Sequence, residues 1–295
     1  MKLLNERLTP RAFGLALFTA VLWGGNSVAI KAALSGAPPI SLAAARFLLG
    51  GLAILLWAIL ARIPLRLGRG ERRGLALLLL LFISQIYLLN AGTQYTLASR
   101  STVFISTYPF FTALFAHRFL PGDRLSRLKV AGMALSFLGV VLIFAESLAV
   151  GRLHYLPGDL MVLASGVLLG ARQVYTKRLA QDIHPGRLLL WQAGLSIPIF
   201  VALSAAFESD HAYNLTFEVW GAVLYQGLVV AGFCFMVYTS LLKTYRASRL
   251  AVFGFITPVF GVFLSNALLG ESISIGLVAS VLLVGAGIAV VNHEA

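Results

Sequence analysis

The stretch LWGGNSVAIK (22–31) recurs in altered form as LLGARQVYTK (168–177), 146 positions further along the chain. An ungapped alignment of 20–39 with 166–185 matches six residues: Val21/Val167, Leu22/Leu168, Gly24/Gly170, Val28/Val174, Lys31/Lys177 and Pro39/Pro185. Similarity between unrelated apolar helices explains matched Leu and Val, but it explains matched Lys and Pro poorly. The pattern therefore indicates an internal repeat.

Two later blocks continue this repeat. The matched pairs are ASRSTVFISTYP (98–109) with ASRLAVFGFITP (247–258), and GDRLS (122–126) with GESIS (270–274). The first pair shares an arginine and a proline in addition to apolar residues. We therefore predict two units, residues 1–147 and residues 148–295.

The composition indicates a membrane protein. Of the 295 residues 59% are hydrophobic and 12% are charged, whereas a soluble domain carries about 25% charged residues. The apolar residues form blocks of about 20, the length of a helix that crosses the hydrocarbon of a bilayer, where only helices and closed barrels satisfy the backbone. We predict an all-α protein with ten transmembrane helices around a central cavity, near 12–33, 39–60, 74–96, 101–119, 128–146, 158–178, 186–207, 218–241, 250–269 and 275–292.

The positions of the charges predict the topology. Alternate connections, at 1–11, 61–73, 118–129, 177–187 and 243–249, hold 18 of the 23 Lys and Arg residues. Because such excess stays on the cytoplasmic side, both termini are expected in the cytoplasm. The net charge of +12 then reflects topology and contact with the lipid bilayer, and it does not indicate nucleic-acid binding. Five spans is an odd number, so the second unit is expected to be inverted relative to the first, as in many secondary transporters.

Several motifs resemble the drug/metabolite transporter superfamily, in particular its EamA-type members with two five-helix repeats. They are WGGN (23–26), ARFLLGGLAIL (45–55), NAGTQYTLAS (90–99), YPFFTALFA (108–116) and TPVFGVFLSNALLGE (257–271). Within that group the chain is most similar to the YddG-type bacterial exporters of amino acids. The resemblance implies a multi-pass protein of the bacterial inner membrane. One departure is Leu169, where a tryptophan would mirror Trp23.

Polar and aromatic residues at membrane depth are the candidate substrate-binding residues, and all but Arg172 are uncharged. Several of them share faces of predicted helices or lie beside prolines that interrupt helices at matched places, Pro109 and Pro258, and the others complete the expected lining. Such interruptions mark either a transporter's binding site or ordinary kinks. The candidates are Trp23, Asn26, Gln85, Tyr87, Asn90, Ser106, Tyr108, Arg172, Gln173, Trp191, Tyr225, Phe233 and Thr257.

Three questions stay open at this level. The third span has two polar faces, one with Gln85 and one with Tyr87 and Asn90, and the spacing does not choose between them. Arg46, whose repeat counterpart is Gln192, is expected to extend its long side chain toward the headgroups rather than bind substrate. Arg172 could do either.

The sequence offers little for other classes of protein. No Asp or Glu lies near the middle of a span, the five histidines are scattered near span ends, and Cys234 is the single cysteine. Neither a metal-binding motif nor a phosphate-binding loop is present, so we expect no cofactor, no metal and no enzymatic activity. A channel would need rings of charge or a filter loop. A membrane receptor or scaffold stays an alternative, and no obligatory protein partner is evident.

The expected function is export of a small zwitterion by alternating access. The uncharged aromatic and amide lining favours amino acids, with aromatic and neutral ones preferred, and the outward direction is implied by the resemblance alone. Nucleotide sugars or amphiphilic drugs are the alternative small-molecule substrates.

Overall fold

The computed structural model describes residues 3–6, 8–123, 126–128, 130–132, 134–135, 138–139, 141–142 and 153–293. In these ranges the chain is helical and contains no strand, apart from one isolated bridge between Glu6 and Tyr245. The α-helices are α1 (Pro10–Gly24), α2 (Asn26–Ala33), α3 (Pro39–Leu60), α4 (Arg72–Tyr95), α5 (Ala98–Ile105), α6 (Tyr108–Phe119), α7 (Leu156–Leu179), α8 (Pro185–Phe207), α9 (Phe217–Leu224), α10 (Phe235–Thr244), α11 (Ala247–Ala251), α12 (Ile256–Leu269) and α13 (Ile275–His293). A π-helical segment, Tyr225–Cys234, joins α9 to α10.

Within the described ranges, seven helices are long and apolar enough to cross a membrane: Pro10–Ala33, Pro39–Leu60, Arg72–Tyr95, Leu153–Leu179, Pro185–Phe207, Phe217–Thr244 and Ala247–Leu269. They coincide with seven of the predicted spans, so the all-α membrane class is confirmed. The predicted span 101–119 is divided into α5 and α6, and the predicted span at 275–292 is α13. The predicted span 128–146 lies largely outside the described residues, so the count of ten stays a prediction.

The helices begin where their first backbone N–H groups find an acceptor. The Thr9 hydroxyl accepts from Ala12 N at 3.2 Å, before Pro10 at the first position of α1. The Glu208 carboxylate accepts from Ile40 N at 2.7 Å and from Ser41 N at 2.9 Å, at the start of α3. Such caps satisfy donors that have no partner inside the helix. They are the reason that these apolar runs begin at these residues.

The interruptions predicted beside Pro109 and Pro258 are confirmed. The fourth span breaks at Ser106 and Thr107, just before Pro109, and the ninth passes through a 3₁₀ turn at Val252–Phe255, just before Pro258. Proline has no N–H and its ring clashes with the preceding turn. At the first break, side-chain hydroxyls donate hydrogen bonds to backbone carbonyls of the preceding turn. Ser106 Oγ donates to Thr102 O and Thr107 Oγ1 donates to Phe104 O, both at 2.7 Å.

The two halves of the chain interleave in the bundle. Helix α4 packs along α7, α3 packs against α8 and the π-helical segment, and α1 packs against α12. Two glycines allow close approach: a Cβ on Gly24 would lie 2.7 Å from Phe260 Cβ, and one on Gly170 would lie 2.7 Å from Phe111 Cβ. Gly24 matches Gly170 in the repeat, and Phe111 matches Phe260 at the offset of the second block. The two halves of the chain therefore make equivalent contacts, in each of which a glycine of one half packs against a phenylalanine of the other.

A matched lysine binds backbone carbonyls at each end of the bundle. One end, where α7 ends and α8 begins, contains Arg178, Arg187 and Lys243, and we name it the basic end. At the other end Lys31 Nζ donates to the carbonyls of Thr93, Gln94 and Thr96 at 2.6–3.0 Å. Its repeat counterpart Lys177 donates at the basic end to Leu4 O at 2.5 Å and Tyr245 O at 2.7 Å. Both matched lysines thus bind free backbone carbonyls where helices end.

Candidate functional site

A cavity lies between the two halves of the bundle. It encloses about 840 Å³ of space, counting its open mouth. Toward the basic end it extends to Thr176, Leu189 and Leu242, each within four residues of the end of its helix. Its lining comprises Trp23, Asn26, Ser27, Arg46, Gln85, Ile86, Leu89, Ile105, Ser106, Tyr108, Leu169, Arg172, Gln173, Thr176, Leu189, Gln192, Phe235, Tyr238, Thr239, Leu242 and Thr257.

At the end of the bundle opposite the basic end, buried polar contacts join the helices. There Asp159 forms an ion pair with Arg100 and accepts a hydrogen bond of 2.6 Å from the Thr96 hydroxyl, and both charged side chains are buried. Gln226 Nε2 donates to Ala29 O at 3.0 Å in the same half of the bundle. Because these bonds join helices from the two halves of the chain, they hold the bundle together on that side.

Two arginines dominate the electrostatics of the cavity. Arg46 on α3 is 1% exposed, and its guanidinium carbon lies 5.2 Å from the Phe47 ring centre and 6.0 Å from that of Phe235. Arg172 on α7 is 9% exposed, with its guanidinium carbon 5.2 Å from the Phe235 ring centre. Aromatic faces attract cations at such distances. The two guanidinium groups therefore lie around one ring, and the expectation that Arg46 extends toward the headgroups is wrong.

Neither arginine has an acidic partner among the described residues, and none of the side chains that line the cavity is acidic. Nε and Nη1 of Arg46 and Nη1 of Arg172 are buried without a hydrogen-bond partner in the described ranges. A buried cation without a partner is costly. The arrangement is therefore suited to a ligand that brings negative charge and hydrogen-bond acceptors.

Two amide oxygens in the lining also lack partners within the described part of the chain, Asn26 Oδ1 and Gln85 Oε1. Gln85 is held in place, because its Nε2 donates to Ser165 Oγ at 3.0 Å while Ser165 Oγ donates to Gln85 O at 2.8 Å. Its carbonyl oxygen is thereby left to accept from a ligand. The cavity thus offers neutral acceptors in addition to cationic donors.

The aromatic side of the cavity is ordered by contacts between the two halves. Trp23 packs edge-on against Tyr238, with ring centres 4.9 Å apart, and against Phe235 at 6.3 Å. Tyr238 donates to Gln173 Oε1 at 3.0 Å, and the Thr112 hydroxyl lies 3.2 Å from the same oxygen. The Thr112 hydroxyl also lies 2.9 Å from Tyr108 O, so the Tyr238 hydroxyl is the donor that orients the Gln173 amide at the cavity wall.

The structure brings eight of the predicted site residues to this one cavity: Trp23, Asn26, Gln85, Ser106, Tyr108, Arg172, Gln173 and Thr257. They come from α1, α2, α4, α6, α7, α12 and the break between α5 and α6. For the third span the face with Gln85 and Leu89 lines the cavity. These eight side chains, which come from separate spans, therefore lie around one cavity.

Five other predicted residues lie elsewhere. Tyr87 is 41% exposed on the outside of the bundle, and Phe233 is 36% exposed and packs on Phe18. Asn90 Nδ2 donates to Pro39 O at 3.0 Å, and Trp191 Nε1 donates to Leu65 O at 2.8 Å. For these residues the contribution is packing or backbone bonding between helices.

Tyr225 is also placed away from the cavity lining. Its hydroxyl donates to Leu22 O, close to the point where α1 ends and α2 begins. A Cβ on Gly25 would lie 2.7 Å from that hydroxyl. The tyrosine therefore supports the break between the first two helices rather than the cavity wall.

Several lining residues were not predicted from the sequence. The polar and aromatic ones are Ser27, Arg46, Thr176, Gln192, Phe235, Tyr238 and Thr239. The sequence does contain a pattern that could have indicated two of them. Arg46 and Gln192 occupy matched positions in the alignment, and both are polar at membrane depth. For Phe235 and Tyr238 no pattern distinguishes them from other aromatic residues of their span.

No group of three or more His, Cys, Asp or Glu residues in the described ranges could hold a metal ion. The carboxylates of Glu208 and Glu271 accept hydrogen bonds from backbone N–H groups at helix starts. Asp123 accepts from Ser248, and Asp159 pairs with Arg100. These acidic groups are therefore committed to holding helices together.

The helices and the cavity together define a multi-pass membrane protein of the transporter class. The model of the EamA-like transporter family matches the chain twice, at residues 11–145 and at residues 156–293. The chain belongs to this family, which is part of the drug/metabolite transporter superfamily.

Named relatives and a solved structure agree with this membership. A probable amino-acid metabolite efflux pump of Salmonella typhimurium is 29% identical over 284 residues, covering 93% of this chain and 92% of that protein. A protein of the same description from Escherichia coli is 28% identical over 268 residues, covering 88% and 87%. The uncharacterized transporter YoaV of Bacillus subtilis is 23% identical, covering 91% and 92%. One crystal structure with 20% identity superposes with a TM-score of 0.75 over 97% of this chain and 99% of the other, and it shares the fold.

Proposed function

We propose that this protein is a secondary transporter that exports small amino-acid metabolites across a bacterial inner membrane by alternating access. The observation that carries the proposal is the central cavity. There, guanidinium nitrogens of two arginines and the side-chain oxygens of two amides are buried without a hydrogen-bond partner among the described residues. A carboxylate suits the arginines and an ammonium suits the amide oxygens. Two relatives described as probable amino-acid metabolite efflux pumps support the same cargo class and direction.

The proposed architecture is a pair of inverted repeats, residues 1–147 and residues 148–295. The double match of the family model supports it, as do the matched lysines Lys31 and Lys177 and the matched breaks beside Pro109 and Pro258. In such transporters the cargo binds between the repeats, and each repeat rocks against the other around it. The ion pair of Arg100 and Asp159 would then belong to the closed side.

In this proposal both termini are cytoplasmic, and the cavity reaches toward the cytoplasm through the basic end. Cargo enters past Thr176 and Leu189 and is bound beside Arg46 and Arg172. Release outward requires the bonds on the closed side to separate. No chemical reaction takes place on the cargo, and the protein needs no cofactor for this cycle.

A transport panel in proteoliposomes tests the proposal. Purified protein is reconstituted, and counterflow of radiolabelled amino acids is compared with that of a nucleotide sugar and of a cationic amphiphile. We expect amino acids to be transported and the other two classes to be poor competitors. Transport of only the nucleotide sugar or the amphiphile would favour those cargoes, and absence of all transport would favour a receptor or scaffold.

A further inference from the structure

We propose that the preferred cargo is an amino acid with two carboxylates, such as glutamate or aspartate, and not a neutral or aromatic one. This inference rests on the proposed function, namely that the cavity transports amino acids. It replaces the expectation, drawn from the sequence, that aromatic and neutral amino acids are favoured. It is carried by the number, charge and unpaired atoms of the polar groups around Phe235.

The first argument is the charge balance of the cavity. The lining contains two arginines and, within the described ranges, no acidic residue. A neutral zwitterion would leave the loaded cavity with the full net positive charge of its two arginines. Because a charge removed from water needs a partner of opposite sign, an additional carboxylate on the cargo is strongly favoured.

The second argument is distance. The guanidinium carbons of Arg46 and Arg172 lie 6.0 Å and 5.2 Å from the same Phe235 ring centre, so they are at most about 11 Å apart. An ion pair places nitrogen and oxygen within about 4 Å of each other. Two carboxylates separated by an α-carbon and one or two methylene groups can therefore each meet one arginine. A cargo with a second carboxylate supplies a separate acceptor for each guanidinium group, whereas a single carboxylate would have to be shared by both.

The third argument concerns the ammonium group of the cargo. In the part of the chain that the structure describes, no carboxylate of the lining is available to pair with it, and Asn26 Oδ1 and Gln85 Oε1 have no other hydrogen-bond donor. The Ser165 contact fixes the Gln85 amide, so that its oxygen remains the available acceptor. Two cationic donors and two neutral acceptors correspond to the two carboxylates and one ammonium of an acidic amino acid.

The test compares near-isosteric cargoes in the same vesicles. Initial rates of counterflow are measured for radiolabelled glutamate and glutamine, with competition by aspartate, asparagine, phenylalanine and a nucleotide sugar. We expect glutamate to be half-saturating at a concentration at least about tenfold below that of glutamine, the factor associated with one hydrogen bond to a charged group. Aspartate should compete and phenylalanine should not.

The outcomes separate this inference from the proposed function. Transport of glutamine or phenylalanine with no preference for glutamate would leave the proposed function intact and overturn the inference. Stronger competition by the nucleotide sugar would assign the arginines to phosphate groups and overturn the inference too. If no amino acid is transported, both fail together.

Variants test the role of each arginine. Arg46→Gln and Arg172→Gln should each reduce the glutamate-over-glutamine preference about tenfold or more while glutamine transport persists. Arg178→Gln is the matched control, because Arg178 is an exposed cation on the same helix as Arg172. A thermal-shift titration in detergent supplies a second readout: glutamate should raise the melting temperature of wild type and Arg178→Gln more than glutamine does. An unchanged preference in both cavity variants would overturn the assignment.

Discussion

Asp123 and Glu271 each hold the start of a helix in the other half of the chain. Asp123 accepts from the Ser248 hydroxyl at 2.6 Å and from Ser248 N at 3.3 Å, whereas Glu271 accepts from Ala98 N at 2.7 Å and Ser99 N at 2.9 Å. The two carboxylates are matched in the repeat, and so are the helix starts that they cap. The contacts are reciprocal, and they tie the two units together at opposite ends of the bundle.

The first prediction concerns this cap. Glu271→Ala should lower the free energy of unfolding by about 1–2 kcal/mol, because two N–H groups at the start of α5 lose their acceptor. Thermal unfolding of the purified protein in detergent measures the effect. Asp182→Ala, at an exposed acidic position, is the control and should change little. Equal melting temperatures for all three proteins would contradict the role of the cap.

The second prediction concerns the close contact at Gly24. Gly24→Ala should destabilise the protein by about 1–3 kcal/mol, since the new methyl group would meet Phe260 Cβ at 2.7 Å and force the helices apart. Gly14→Ala on the same helix is the control, because nothing lies within 4 Å of its Cβ position. Thermal unfolding of both variants decides: a larger loss in the Gly14 variant would show that this contact is not the constraint.

The third prediction concerns the aromatic wall. Trp23→Ala should reduce transport at least tenfold without loss of folding, because the indole ring orders Tyr238 and Phe235 at the cavity. Trp220→Ala removes an indole from the exposed surface of the bundle and should leave transport near the wild-type rate. Rates in proteoliposomes, normalised to reconstituted protein, provide the comparison. Normal transport by the Trp23 variant would place this residue in packing alone.

The fourth prediction concerns topology. In a Cys234→Ala background, Gly70→Cys should react with a membrane-impermeant thiol reagent only from the cytoplasmic side, and Ala212→Cys only from outside. Both positions are exposed in the structure, whereas Cys234 is buried. Labelling of intact cells and of inverted vesicles distinguishes the sides. Reaction of both positions from one side would refute the inverted arrangement.

The fifth prediction concerns energy coupling. A proton-coupled carrier usually needs a titrating side chain at its site, and among the described residues none that lines the cavity is Asp, Glu or His. We therefore expect a cargo gradient alone to drive flux in proteoliposomes. The measurement is accumulation of cargo when only a pH gradient is imposed. Uphill accumulation that a protonophore abolishes would reveal a proton pathway that these lining residues do not supply.

Much of the fold was predictable because it follows from short-range signals. Runs of apolar residues and prolines at helix starts predicted the helices and their breaks. The alignment shows that Lys31 and Lys177 occupy equivalent positions in the two halves of the chain. What each lysine binds was not visible, because the acceptor carbonyls belong to segments more than 60 residues away in sequence.

The site was predictable only in part, since a helix presents several faces and neighbours decide among them. Gln85 and Asn90 both carry side-chain amides on α4, yet only Gln85 lines the cavity. The Asn90 amide donates a hydrogen bond to Pro39 O instead. Arg46 was assigned to the headgroups from its position in the helix. The structure encloses it between Phe47 and Phe235, and Phe235 comes from the other half of the chain.

Arg46 and Arg172, which have no acidic partner among the residues that the structure describes, have an electrical consequence under the proposed cargo. A cargo with two carboxylates and one ammonium has a net charge of −1, and it carries this charge out of a cell whose interior is at negative potential. A membrane potential of about 100 mV contributes about 2.3 kcal/mol per charge, equivalent to a concentration ratio of roughly fiftyfold. If the protein exports such a cargo as proposed, voltage would drive the export even at equal concentrations on the two sides, and it would oppose return of the cargo by the same factor.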